Sequence, residues 1–143
     1  MQVHGSCASR DGAAVLLLGP PGSGKSDLVL RLIGRGWGLV ADDQVVVEGV
    51  VVSAPPALRG MLEVRGLGIF QDVAVAEGAR LALVVDLVAR DGMDRLPMPS
   101  VWGAARVPRV ALHAFEASAC DKVAFALDAA LGRLAQRAGA FAA

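Results

Sequence analysis

Residues 19–26 read Gly-Pro-Pro-Gly-Ser-Gly-Lys-Ser and fill every fixed position of the phosphate-loop pattern G-x-x-x-x-G-K-[ST]. The pattern works only where an apolar strand delivers the chain into a glycine turn and a helix leaves it. Both flanks are present, the apolar run 13–18 before it and the amphipathic stretch 27–35 after it. Gly19, Pro20, Pro21, Gly22, Ser23 and Gly24 would form the cradle, with the glycines letting the backbone curl round an anion without a Cβ in the way. Backbone N–H groups and a helix N-terminus then offer partial positive charge to a di- or triphosphate. Lys25 would reach the outer phosphates and the Ser26 hydroxyl would ligate Mg²⁺. The chain holds two lysines, Lys25 and Lys122, against twelve arginines. A composition this averse to lysine keeps one where the pattern needs it, so a chance Gly/Ser turn is the weaker account. The expected ligands are ATP and Mg²⁺.

The 143 residues are enough for one domain with a proper core, and a single domain over 1–143 is expected. Hydrophobic residues make up 55% and aromatics only 4%, so that core is built from Val, Leu and Ala. The formal net charge is zero, which leaves no basic field for nucleic acid. No apolar run approaches the roughly 20 residues that span a bilayer. His4, Arg10 and Asp11 within the first twelve residues do not fit a signal peptide. Cys7 and Cys120 read most simply as free thiols in a reducing compartment, so a cytoplasmic location is expected, with no membrane partner.

Short strands dominate the first two thirds. Residues 3–8 and 13–18 flank an Arg10-Asp11-Gly12 turn and read as a hairpin. A helix from Ser26 buries Leu28, Leu32 and Ile33 and ends near Gly34 or Gly36. Strands follow over 38–41, then 45–48 and 50–53 paired across Glu48-Gly49. Residues 62–64 are extended and lead into a tight turn, Arg65-Gly66-Leu67-Gly68. Residues 80–88 form a strongly apolar strand, and 107–113 form the last one. Between them 89–104 reads as an irregular loop, long enough to suggest function. A helix is expected over 118–137, with Val123, Leu127, Leu131 and Leu134 on one stripe. Only one helix lies between the glycine loop and residue 115, so the fold class is α/β with a mixed, hairpin-rich sheet rather than an alternating parallel one.

Several acids compete for chemistry. Asp42-Asp43 follows a strand, where sheets of this kind place ligands; either carboxylate could bind Mg²⁺ or take a proton from an attacking hydroxyl, or the pair could be a polar turn. Asp86 ends the apolar run 81–85, the position of a second Mg²⁺ ligand in an ordinary phosphate-loop ATPase, and is the rival to that pair. Glu63 and Arg65 alternate with Leu62 and Val64 and so share one face of a strand. On a site they could hold metal and phosphate; elsewhere they are an exposed ion pair worth little. A lone histidine is more often incidental than catalytic, which covers His4 and His113.

Taken together these segments resemble the catalytic domain of HPr kinase/phosphorylase. Val3-His4-Gly5 resembles that family's opening strand, Gly19 to Ser26 its nucleotide loop, and Arg35-Gly36-Trp37-Gly38-Leu39-Val40-Ala41-Asp42-Asp43 its run into paired aspartates. Leu62-Glu63-Val64-Arg65-Gly66-Leu67-Gly68-Ile69 is similar to its signature stretch, and Asp94-Arg95-Leu96 to a short motif holding a catalytic arginine. The resemblance covers roughly residues 2–97, in the family's order. It implies a fold related to phosphoenolpyruvate carboxykinase and ATP-dependent phosphorylation of a serine on an HPr-type phosphocarrier, in regulation of a bacterial phosphotransferase system. It implies that Lys25 neutralises β/γ-phosphate charge and that Ser26 and Glu63 hold Mg²⁺. One of Asp42 and Asp43 would be the general base, the other assisting through metal or water. His4 would support the acidic pair, and Arg65 and Arg95 would stabilise the transferred phosphate. Asp86 is then not the metal ligand.

Two departures shape the expectation. The chain starts directly at the catalytic domain, like a short form without the family's N-terminal domain. The family's Pro-Val-x-Pro-Gly-Arg-Asn-like segment, associated with removing the phosphate again, is replaced here by residues 113–122, His-Ala-Phe-Glu-Ala-Ser-Ala-Cys-Asp-Lys. Kinase activity without the phosphorylase is therefore expected. The family's homo-oligomer is a hexamer, and the C-terminal elements here are shorter. Two other readings of the residues stand beside this one, a small-molecule phosphate-loop kinase and an ATP-binding regulatory module that transfers nothing.

Overall fold

The computed structural model describes residues 1–142. In chain order the elements are β1 (Gln2–His4), β2 (Ser6–Arg10), β3 (Ala13–Leu18), α1 (Lys25–Ile33), β4 (Gly38–Ala41), β5 (Gln44–Glu48) and β6 (Val51–Ser53). They continue with β7 (Leu62–Val64), β8 (Gly68–Phe70), β9 (Arg80–Leu87), β10 (Ser100–Trp102), β11 (Val107–Leu112) and α2 (Ala119–Ala130). Nine strands form one mixed sheet, and β7 and β8 form a separate hairpin.

The most apolar strands take the middle of the sheet. β9 lies between β3 and β11 and is parallel to both, with Leu17 opposite Val85 and Val110 opposite Val85 on the other side. A strand buried on both faces must be apolar; β3 is apolar along its whole length, and β9 is so from Leu81 to Val85. β2 pairs antiparallel with both β3 and β4, so β3 and β4 run the same way. β1, β5 and β6 extend the sheet from the far side of β9.

Side-chain alternation splits the core in two. Val15 and Leu17 face one way and pack with Leu28, Val29 and Leu32 of α1 and Val123 and Leu127 of α2. Ala14 and Leu16 face the other way and pack with Val40, Val45, Val47 and Val52. Strands β5 and β6 also touch β4, so the sheet folds its ends toward each other over this second cluster. Arg10 is ion-paired with Asp128, which ties β2 to α2, and its guanidinium lies 5.4 Å over the Trp37 ring.

The expected architecture, mixed and rich in hairpins, is the one found. Four elements differ from expectation. Strand β8 follows the tight turn expected at Arg65-Gly66-Leu67-Gly68 and pairs antiparallel with β7. The strand expected over 3–8 breaks at Gly5, whose N–H bonds to the Asp43 carbonyl and where a side chain would stand 2.7 Å from the Leu17 carbonyl oxygen; β1 turns away to pair with β5. The irregular loop expected over 89–104 contains a 3₁₀ turn at Arg90–Gly92 and strand β10, paired antiparallel with β11. The second helix stops at Ala130, not near Arg137, and Leu131 and Leu134 are exposed rather than buried in its stripe. Gly132 ends it: at φ +77°, its N–H reaches the Ala129 carbonyl and the Arg133 N–H reaches that of Asp128. That pair of bonds is a Schellman closure, which favours glycine at the left-handed position.

Both cysteines are free and buried. Burial raises the Cys7 thiol far above its ordinary value of 9.0, and burial also raises Cys120. Folded thiols of this kind stay protonated, so their contribution to stability is intact below pH about 9 and is lost as the pH rises beyond it. Under native conditions at neutral pH, a thiol reagent should react with neither cysteine faster than the protein opens. Rapid titration of Cys7 in the folded chain would contradict this packing.

Candidate active site

The parallel directions of β3, β4, β9 and β11 bring their C-terminal ends to one edge of the sheet, and the loop Gly19–Ser26 leaves β3 there. Gly22 and Gly24 adopt φ +81° and +98°. At Gly24 a Cβ would also stand 2.8 Å from that of Ala114, so the position needs glycine twice over. α1 begins at Lys25 with no side chain capping it. Its first N–H groups and the positive end of its dipole are thus left to an anion. Lys25 is buried at its stem, and its Nζ donates to the carbonyls of Gly19 at 2.7 Å and Pro20 at 3.1 Å. Ser23 donates its backbone N–H to Pro20, and its Oγ is buried without a partner.

The two adjacent aspartates are separated by their surroundings. Asp42 is 7% exposed. Its Oδ1 accepts from Ser6 Oγ and Ser26 Oγ, both at 2.7 Å, and its Oδ2 accepts from the Glu63 backbone N–H at 3.2 Å. One carboxylate therefore joins β2, α1 and β7. Asp43 sits at φ +73°, and the Gln44 N–H bonds back to the Asp42 carbonyl at 2.9 Å. A three-residue closure around a positive φ is a tight, strained γ-turn, and strain of this kind gathers at functional sites. The Asp43 carbonyl is held by the Gly5 N–H, at the strand break. The result is a carboxylate 66% exposed, with His4 Nδ1 3.7 Å away.

A cavity of about 510 Å³ gathers these groups. Lys25 and Ser26 line it together with His4, Asp43, Glu63 and Arg65. Asp42 lies behind that wall, and Arg95 is not brought to it. Arg95 lines a larger cavity of about 830 Å³ between the 93–97 segment, α2 and residues 134–141, which shares no residue with the first. Asp86 is taken by Arg109, whose guanidinium holds it through two hydrogen bonds and whose own pKa is raised by them. His113 is structural, with Nδ1 2.9 Å from the Val88 carbonyl. Sequence reasoning missed Ser6, fully buried against Asp42, and Phe115, which lines the cavity. Nothing in the spacing of Ser6 marks it; only the pairing of β2 with β4 places it beside Asp42.

Oxygen donors dominate the polar wall: Ser26 Oγ and the carboxylates of Asp43 and Glu63. No cluster of three His, Cys, Asp or Glu forms a metal cage among the described residues. That pattern suits Mg²⁺, which takes one or two carboxylates and completes its shell from phosphate oxygens and water. No helix among the described residues is long and apolar enough to cross a membrane.

A family model for the HPr Serine kinase C-terminal domain matches residues 1–105. The HPr kinase/phosphorylase of Bordetella petrii is 44% identical over 113 residues, covering 69% of this chain and 37% of its own length. That of Cupriavidus metallidurans is 46% identical over 116 residues, covering 70% and 35%. The solved structure of the Hpr(Ser) kinase/phosphatase from Coxiella burnetii superposes with a TM-score of 0.68 at 27% identity, over 78% of this chain and 85% of that one. The chain spans little more than a third of the length of these curated relatives.

Proposed function

The chain belongs to the HPr serine kinase C-terminal domain family, and from that premise we propose that it is a kinase moving the γ-phosphate of ATP to a serine of HPr or a paralogous phosphocarrier. Such a reaction would act in the cytoplasm, as a regulatory input to a phosphotransferase system. One observation carries the reading: the open Asp43 carboxylate lines one cavity with the glycine loop and its Lys25 and Ser26.

Phosphoryl transfer needs positioning and charge neutralisation more than covalent chemistry. The loop N–H groups and the start of α1 hold the polyphosphate. Lys25 exchanges its carbonyl contacts for β/γ-phosphate oxygens. Ser26 and Glu63 would hold Mg²⁺, which would further neutralise the phosphate charge when bound. Asp43 takes the proton from the attacking serine hydroxyl at its exposed oxygens, and His4 beside it orients the carboxylate. Asp42 is a positioning residue that aims the Ser26 hydroxyl and fixes the Glu63 backbone. Arg65 offers its guanidinium to the phosphoryl group in transit. The departure of residues 113–122 from the family's phosphate-removing segment supports a kinase without phosphorylase activity.

ADP formation with purified HPr, compared with free serine and other small alcohols, tests the choice of acceptor. Turnover with HPr alone is expected. Turnover with a small alcohol and none with HPr would replace this reading by that of a small-molecule kinase.

A further inference from the structure

Phe115 is a large apolar side chain that the fold does not need for its core. It lies past residue 105, beyond the stretch matched by the family model. Its ring is 55% exposed, yet its mount is rigid. The segment leaves β11 at the sheet edge that carries the glycine loop. The Ala114 carbonyl accepts from the Arg31 guanidinium of α1. The His113 ring meets the Phe115 ring edge-on, centroids 5.7 Å apart at 71°. Glu116 accepts from Lys122 Nζ at 2.7 Å, closing the segment onto α2. The ring also rests against the loop itself: a Cβ on Gly24 would be 3.0 Å from Phe115 Cζ.

The cavity lining carries two chemistries. His4, Asp43, Glu63 and Arg65 are polar, while Pro21, Leu30, Val64 and Phe115 are apolar. A nucleotide has the same division, a polyphosphate and a flat base with an apolar face. We propose that the Phe115 ring is the stacking platform for the nucleobase of the nucleotide whose phosphates the loop holds. The proposal rests on the nucleotide reading of the loop and adds the residue that receives the base. A ring already held by His113 and Gly24 loses little freedom when a base lands on it, so the stacking energy is largely retained in binding. Stacking also tolerates any base, because each has a π-face.

Calorimetric titration of the wild type, Phe115→Ala and Phe115→Trp with Mg²⁺-ATP and with Mg²⁺-tripolyphosphate tests this. Phe115→Ala should weaken ATP about tenfold and leave tripolyphosphate unchanged, while Phe115→Trp should keep ATP affinity within about threefold. An unchanged thermal midpoint in Phe115→Ala, expected for a half-exposed ring, shows that the fold is intact. Equal ATP affinity in wild type and Phe115→Ala would overturn the proposal. Equal losses for ATP and tripolyphosphate would overturn it too, since the ring would then only prop the loop. A wild type that binds neither ligand would instead defeat the nucleotide reading beneath it.

Discussion

Lys25→Ala should lose ATP affinity by about a hundredfold or more, the cost of removing charge-assisted hydrogen bonds at the outer phosphates. Lys25 is the only lysine near the cavity, and its stem is buried while its Nζ stands over the loop carbonyls of Gly19 and Pro20. A hydrated cation elsewhere on the surface could not take its place. Arginine should not restore binding, because its planar fork demands different space and geometry from a point charge on a slim stem. The loop loses two internal hydrogen bonds in the variant, so a thermal melt belongs beside the titration. A folded Lys25→Ala protein that binds ATP as well as the wild type would remove the loop from the account.

The second large effect separates the two aspartates. Asp43→Asn should lower the transfer rate by about a hundredfold to ten-thousandfold, the usual contribution of a positioned base. ATP affinity should stay within about threefold, since the loop and Lys25 supply the phosphate contacts. Asparagine tolerates positive φ better than most residues, so the turn at φ +73° survives and the variant reports on chemistry. Asp42→Asn should behave differently. Its carboxylate accepts three hydrogen bonds in a buried place, and an amide must turn donors toward Ser6, Ser26 or the Glu63 N–H. Loss of that satisfaction should cost about 1–3 kcal/mol of stability, with a weaker dependence on Mg²⁺ as the Ser26 hydroxyl loses its aim. Thermal melts and transfer rates on the two variants check both halves. A stable, inactive Asp42→Asn beside an active Asp43→Asn would reverse the assigned roles.

The loop, its flanking strand and its helix were legible because local rules govern them: glycine spacing, an apolar run and an amphipathic one. The β2–β3 and β5–β6 hairpins were legible for the same reason, while β7–β8 and β10–β11 were not. The ends of elements were less so. Gly132 closes α2 by a backbone conformation that the apolar stripe through Leu131 and Leu134 conceals. Gly5 breaks a run that alternation alone extends, and its N–H goes to the Asp43 carbonyl, a tertiary partner that no local pattern shows. The site follows the same division. Spacing brings forward Asp42 and Asp43 but cannot rank them. The ranking comes from Ser6 and Ser26, which bury one carboxylate, and from the γ-turn that exposes the other. Arg95 illustrates the converse: a short motif marks it, and the fold places it on the other cavity. Phe115 carries no motif at all, and only the contact with Gly24 brings it to notice.

The most direct measurement is transfer of γ-labelled phosphate from Mg²⁺-ATP to purified HPr of the same organism, with inorganic phosphate added in a parallel arm. Label is expected on an HPr serine, and added phosphate should not strip it. Tight ATP binding with no label on HPr would contradict the kinase and leave a nucleotide-binding regulatory module in its place; label that phosphate removes would contradict the absence of the reverse reaction.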